Sequence, residues 1–242
     1  MSDKNIMREF KEFGNKMNTL AILAIIIFIT GIIGIFIRFV GFINLIFAVI
    51  SFFIFLSALG NIKEAGYGLN NRDLLEFRSK IIIAMILGIP GLLFITLGIV
   101  LLILGFIIVA ILFIVLAIII LLIAAIFNIL AWGKLEDFFK ANMNMFPANI
   151  SNDARTGANL CKVGAILNIT IILAFIGDIL RIIGYFKLAS LKNLGGAPST
   201  PATRPAAPAP APAPAAAGRF CPNCGSSVTL GVNYCPSCGS EI

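Results

Sequence analysis

From Ile81 to Trp132 the chain carries no charged side chain. That run is more than twice the roughly 20 apolar residues a helix needs to cross a hydrocarbon core of about 30 Å. No water-soluble domain could hide so continuous an apolar surface. The run therefore reads as two membrane spans joined by a turn near Gly105, with Pro90 inside the first of them. Composition agrees: 60% of the residues are hydrophobic and 12% charged, histidine is absent and the mean hydropathy is +1.04. Soluble domains usually have about 45–50% apolar and about 25% charged residues.

A second apolar block, residues 19–60, holds only Arg38 as a charge. It divides into two spans, 19–37 and 40–60, around a tight turn at that arginine. The first span is too long for a cleaved signal peptide and reads as a signal anchor. A third block, residues 163–191, meets Asp178 and Arg181 in its interior, and its length admits either one span or a short hairpin turning back near Asp178. Arg181-Ile-Ile-Gly-Tyr in this block echoes Arg38-Phe-Val-Gly-Phe, which suggests three hairpin units. The expected fold class is an all-α polytopic membrane protein of hydrophobic hairpins, with five or six membrane segments within residues 19–194 (19–37, 40–60, 81–104, 106–132 and 163–191) and a small C-terminal β module.

Basic residues set the orientation. Lys4, Arg8, Lys11 and Lys16 precede the first span; Lys63, Arg72, Arg78 and Lys80 separate the hairpins; Lys134, Lys140, Arg155 and Lys162 precede the third block. The short turns hold only Arg38. Cytoplasmic loops collect Lys and Arg, so the N-terminus and both long loops are expected in the cytoplasm of a multi-pass cell-membrane protein. The formal charge of +7 thus serves orientation and contact with anionic headgroups.

Within the N-terminal amphipathic segment, residues 1–18, Ile6, Phe10, Phe13 and Met17 recur at helical spacing. Leu135, Phe138, Phe139 and Phe146 do the same after the uncharged hairpin. Both stripes predict helices lying in the headgroup region, although the second also fits a helix end trimmed by solvated charges. Asn44, Asn168 and Thr170 are expected to make interhelical hydrogen bonds. Gly31, Gly34, Gly98 and Gly105 would let helices approach closely and leave a homo-oligomer open.

At Gly195 the composition changes. Residues 195–218 are Pro/Ala-rich, and seven of the eleven prolines fall between 197 and 218. Proline removes the amide donor and opposes the preceding helical turn, so this linker is expected to be an extended spacer of at most about 65 Å, at roughly 3.1 Å per residue.

Beyond it, residues 219–242 contain Cys221-Pro-Asn-Cys224-Gly and Cys235-Pro-Ser-Cys238-Gly. Two CxxC pairs can place four thiolates at the corners of a tetrahedron, a donor set for Zn²⁺, and equally for iron in a rubredoxin-like site. Gly225 and Gly239 can turn backbone amides towards the sulfurs. Residues between the pairs are β-prone around Gly231 and predict a short hairpin. With so few apolar groups, metal binding would supply the folding energy. The duplicated CPxCG resembles the short zinc-ribbon domains appended to many archaeal and bacterial proteins. That resemblance implies one structural zinc on Cys221, Cys224, Cys235 and Cys238. The whole arrangement is similar to small archaeal membrane families in which hydrophobic hairpins precede a zinc ribbon and no activity is assigned.

Reduced, metal-binding thiols favour a cytoplasmic ribbon. All four metal ligands come from protein, histidine is absent and no paired carboxylates are evident, so the chain is not expected to be an enzyme. Cys161 is expected to be a buried or interfacial thiol. Nucleic acid is not the expected partner, because residues 219–242 contain one base, Arg219, and one acid, Glu241. The leading expectation is a non-enzymatic protein that sits in the lipid bilayer and displays a structural-zinc ribbon to recruit a protein partner. The alternative is a small transporter or channel with a regulatory ribbon, its pathway lined by Arg38, Asp178 and Arg181.

Overall fold

The computed structural model describes residues 3–34, 37–170 and 173–195, and, nearer the C-terminus, 219–220, 223, 227–228, 234, 238 and 240–241. The chain divides into two units, Met1–Ser199 and Thr200–Ile242. The first unit is helical: α1 (Asp3–Gly34), α2 (Arg38–Gly68), α3 (Arg72–Ile103), α4 (Ile107–Ala141), α5 (Ala148–Leu167) and α6 (Ala174–Leu188). Short 3₁₀ turns at Met143–Met145 and Ala189–Asn193 flank the last pair.

Four helices among the described residues are long and apolar enough to cross a membrane: Lys4–Gly34, Ile43–Gly68, Arg72–Ile103 and Ile107–Ala141. They form two antiparallel hairpins. The chain breaks at Ile37 between α1 and α2, and at Gly105, whose φ of +85° suits glycine, between α3 and α4. Pro90 lies inside a continuous α3. Ile103 and Ile108, flanking the Gly105 turn, are 79% and 78% exposed. So much bare isoleucine at one end is compatible with lipid and not with water.

No helix of the third block is among these four, so the count of five or six is not confirmed among the described residues. It breaks between Leu167 and Ala174 rather than near Asp178, and α5 begins as early as Ala148. The resulting α5–α6 hairpin is short. Asn168 and Thr170 each meet a carbonyl of the preceding turn, the former through its backbone amide to Gly164 and the latter through its hydroxyl to Leu167. The hairpin closes on glycine pairs spaced seven residues apart. A Cβ on Gly157 would stand 2.7 Å from the Gly184 carbonyl oxygen, and one on Gly164 would stand 2.6 Å from that of Gly177. The Arg38/Arg181 echo does not mark equivalent places, since Arg38 opens α2 whereas Arg181 lies in the interior of α6.

The same device joins α3 to α4. Ala110, Ala117, Ala124 and Ala131 are all buried, and their seven-residue spacing keeps them on one side of α4. Across from them, a Cβ on Gly98 would meet Ile114 and the Ala110 carbonyl, and one on Gly91 would meet Leu121. Small residues on both faces let the backbones approach, which is how helices pack when lipid removes the hydrophobic drive between them.

At the opposite end from Gly105 the helices converge on an aromatic core. Phe10 stacks on Phe138 at 5.6 Å and meets Phe146 edge-on at 5.1 Å, while Trp132 lies 5.3 Å from Phe77 and 6.1 Å from Tyr185. Phe10, Phe13, Met17, Leu135, Phe138 and Phe139 are completely buried. The apolar faces of the two amphipathic stripes are therefore not turned towards lipid headgroups; each covers the other inside the protein. The reason is geometric. α1 is continuous from Asp3, so its first turns extend the first span as a rigid rod and place its stripe against the extension of α4.

Polar side chains encircle this core. Lys16 bonds Asn61, which in turn donates to Glu9 at 2.7 Å. Lys134 reaches Asp73 at 2.9 Å and Glu76 at 3.4 Å, Lys162 reaches Glu136 at 3.1 Å, and Lys187 reaches Asp153 at 2.7 Å. These bonds tie α1 to α2, α3 to α4, α4 to α5 and α5 to α6 in one belt, and the apolar, exposed lengths begin above it.

The last turn closes the unit. Lys192 Nζ donates to Asn18 at 3.0 Å, and Gly14 of α1 accepts the backbone of Leu191 and Lys192. Leu194 and Gly195 share a cavity of about 630 Å³ with Lys4, Arg8 and Lys11. The chain thus leaves the helical unit beside the N-terminus of α1.

Candidate functional site

In the second unit, strand β1 (Arg219–Phe220) pairs antiparallel with β2 (Ser227–Val228), Arg219 opposite Val228 and Phe220 opposite Ser227. Tyr234 forms an antiparallel bridge with Glu241. In sequence, the first pairing encloses Cys221 and Cys224, and the second encloses Cys235 and Cys238. Ser227 and Val228, at the start of the segment expected to form a hairpin around Gly231, pair upstream with residues 219–220; residues 229–233, on which that expectation falls, lie outside the described residues.

Cys221, Cys224 and Cys235 lie outside the described residues. Cys238 is exposed, with its Sγ 3.1 Å from the Ser240 hydroxyl. A hydroxyl at that distance can donate to a sulfur carrying negative charge. The donor chemistry, four cysteines as two CxxC pairs each bracketed by paired backbone, fits a tetrahedral thiophilic ion.

A family model described as a zinc-ribbon domain matches residues 220–242. These residues are thus similar to a zinc-ribbon domain. Zinc-ribbon domains generally bind zinc. The match covers only this module and leaves the helical unit without a family assignment. No curated protein and no solved structure matches the chain.

The helical unit has a polar cluster of its own. Arg181 Nη2 donates to Asp178 at 2.8 Å, an i,i+3 pair on one face of α6 as the sequence suggests, and Asn168 Nδ2 from the end of α5 donates to the same carboxylate at 3.0 Å. The pair lies close to the connection between α5 and α6, which Asn168 opens. Its helix is level with Cys161, whose Sγ lies 3.9 Å from the Arg181 carbonyl oxygen. Cys161 precedes Lys162 of the belt. Arg181 therefore stands at the upper rim of the belt, where the apolar lengths begin. The side chain of Arg38 lies outside the described residues.

Asp178 and Arg181 line a cavity of about 300 Å³ walled by α1 and α2, and Arg181 also lines a second, similar cavity against α3 and α4. Both include Phe55, Met85 and Tyr185. Sequence reasoning missed three polar members of this region, Ser51, Asn128 and Tyr185, because each is an isolated polar group among apolar residues and only the packing of the helices puts Ser51 in the first cavity, Asn128 in the second and Tyr185 in both. Asn44 does bridge two helices, through Thr30 at 3.3 Å, and Asn168 bridges α5 to α6; Thr170 instead bonds locally to Leu167. Cys161 is fully buried, and burial pushes its thiol well above the ordinary range, leaving it protonated and inert.

Proposed function

We propose that this is a non-enzymatic integral membrane protein that displays a structural-zinc ribbon on the cytoplasmic side, as a docking module for a protein partner. The observation that carries the reading is the return of the chain to the N-terminal end of α1, where Lys192 bonds Asn18 and Gly14 packs on Leu191. A Pro/Ala-rich linker that starts at that end leads to the ribbon on the side that the basic residues assign to the cytoplasm.

In this reading Cys221, Cys224, Cys235 and Cys238 hold one Zn²⁺, and the metal supplies the folding energy of a module too small to fold on its own core. A closed four-thiolate site has no open position for substrate, so the metal is structural. With one basic and one acidic residue in residues 219–242, the module lacks the charge for nucleic acid and suits a protein surface.

Two measurements test it. Reporters fused at residue 1 and at the C-terminus should both report cytoplasm; an external C-terminal signal removes the reading. Replacing Cys221 and Cys224 by Ser should remove one zinc per chain and leave membrane insertion unchanged. Loss of insertion would show that anchor and ribbon are not separate modules.

A further inference from the structure

We propose that the cleft between the two long hairpins is a binding site for a single membrane phospholipid, its phosphate on Arg181 and one acyl chain along α1 and α2. The inference is independent of the zinc ribbon and rests on the helical unit alone.

Three observations converge. Among the described residues Arg181 is the one cation lining either of the adjoining cavities, each of about 300 Å³, at the lower end of the range that holds small ligands. Its ion pair uses one guanidinium nitrogen, Nη2, and the Asp178 oxygen it meets is shared with Asn168. A guanidinium carries five N–H donors in a planar fork. Donors therefore remain for a phosphate, the anion whose geometry that fork matches. A side chain so placed, between the hydrocarbon walls of two hairpins, needs further acceptors.

The second observation is the Ser51 hydroxyl, in the wall of the same cavity. It is buried and finds no hydrogen-bond partner among the described residues. Buried polar groups without partners are uncommon and point to an unfilled contact. The second cavity adds the Asn128 amide beside Arg181 and contains no carboxylate among its lining residues.

The third is direction. Arg181 stands level with Cys161, next to Lys162 of the belt, whereas the apolar wall runs away from the belt, from Leu20 to Phe28 on α1, a length of about 12 Å at 1.5 Å per residue. Ala48 lies at the far end of the α2 wall and Phe55 at the near end. A lipid of the leaflet on the belt side has this polarity: phosphate at the belt, chain pointing to the midplane. A free inorganic anion would use Arg181 and leave the wall bare.

The test uses the full-length protein in detergent micelles and native mass spectrometry with three probes: dioleoyl-phosphatidylglycerol, dioleoylglycerol with the same chains and no phosphate, and inorganic phosphate. The wild type should retain one phosphatidylglycerol per chain, and neither of the others should compete with it. Arg181→Gln should weaken retention about tenfold or more, the loss expected when a charged hydrogen bond is removed. Ala48→Phe leaves the Arg181–Asp178 pair intact, fills the wall and should weaken retention as well, which keeps the test valid if Arg181→Gln does not fold. The proposal is overturned if both variants retain the lipid like the wild type, if dioleoylglycerol binds equally well, or if inorganic phosphate displaces the lipid at equal concentration.

Discussion

Replacing Gly14 by Ala would ordinarily stabilise a protein. In the interior of a helix the change is favourable by about 0.8–1.0 kcal/mol, because glycine loses more backbone freedom on folding. At this position the sign should reverse. A Cβ on Gly14 would stand 2.3 Å from the Lys192 amide nitrogen and 2.7 Å from the Leu191 carbonyl carbon. Both are backbone atoms, so no rotamer change relieves the contact. Reaching an ordinary separation of 3.4 Å or more requires the 3₁₀ turn at Ala189–Asn193 to move by about 1 Å, and that turn is anchored by buried Leu188, Ala189 and Leu191. Overpacking of this kind costs typically 1–3 kcal/mol, and loosening the Lys192–Asn18 bond adds to it.

The net expectation for Gly14→Ala is a loss of about 1–2 kcal/mol, read as a fall in Tm of roughly 2–8 °C for a chain of this size. Gly60→Ala in α2 is the matched control, since nothing lies within 4 Å of the added carbon. It should be neutral or raise Tm by roughly 2–4 °C. The chain has one tryptophan, Trp132, buried between Phe77 and Tyr185. Its fluorescence follows the melt of the helical unit in detergent without interference from the ribbon. A Gly14→Ala protein as stable as the wild type, or more so, would refute the close seating of the last turn on α1, and with it the basis for placing the chain's exit beside the N-terminus.

Phe10→Ala should lose about 3–5 kcal/mol, because the ring fills the centre of a fully buried cluster with Phe138, Phe139 and Phe146; the Trp132 melt checks it, and a near-neutral result would return the α1 stripe to the membrane surface. Cys161 should resist maleimide in the folded protein up to pH 9 and label only after denaturation, as counted by mass spectrometry; rapid labelling would contradict its burial. Gly184→Leu should open the α5–α6 hairpin, since even a Cβ there stands 2.6 Å from the Cys161 sulfur and 2.8 Å from the Gly157 carbonyl oxygen. The expected readout is exposure of Cys161 to the same reagent; unchanged protection would refute the tight glycine seam.

Much of the helical architecture can be read from where charges stop. The uncharged length from Ile81 to Trp132 has no arrangement in water, and of its four glycines Gly105, nearest the middle, offers the least costly turn, so α3 and α4 follow from the cost of charge in hydrocarbon. The third block could not be read this way. Its break depends on where α5 starts, at Ala148 within a charged segment that resembles a loop, and on glycines whose significance appears only when two helices face each other. Phe10 and Phe138 were legible as stripes, but nothing in either stripe says whether lipid or the other stripe covers it.

For the candidate site the division is similar. The cysteine spacing, glycine placement and composition of residues 219–242 carry the ribbon on their own, because a metal site needs only a few donors close in sequence, and a two-residue gap fixes their approach. The expectation of an extended linker likewise comes from proline-rich composition without reference to any other part of the chain; residues 196–218 lie outside the described residues. Arg181, Ser51 and Asn128 are the opposite case. They are separated by most of the helical unit and share no spacing rule; only tertiary packing puts Ser51 and Asn128 in the two cavities that Arg181 also lines. Charge periodicity and donor spacing are local and survive in a one-dimensional reading. Which apolar face meets which is settled by backbone approach at Gly14, Gly98, Gly157 and Gly184, and that is a property of three dimensions.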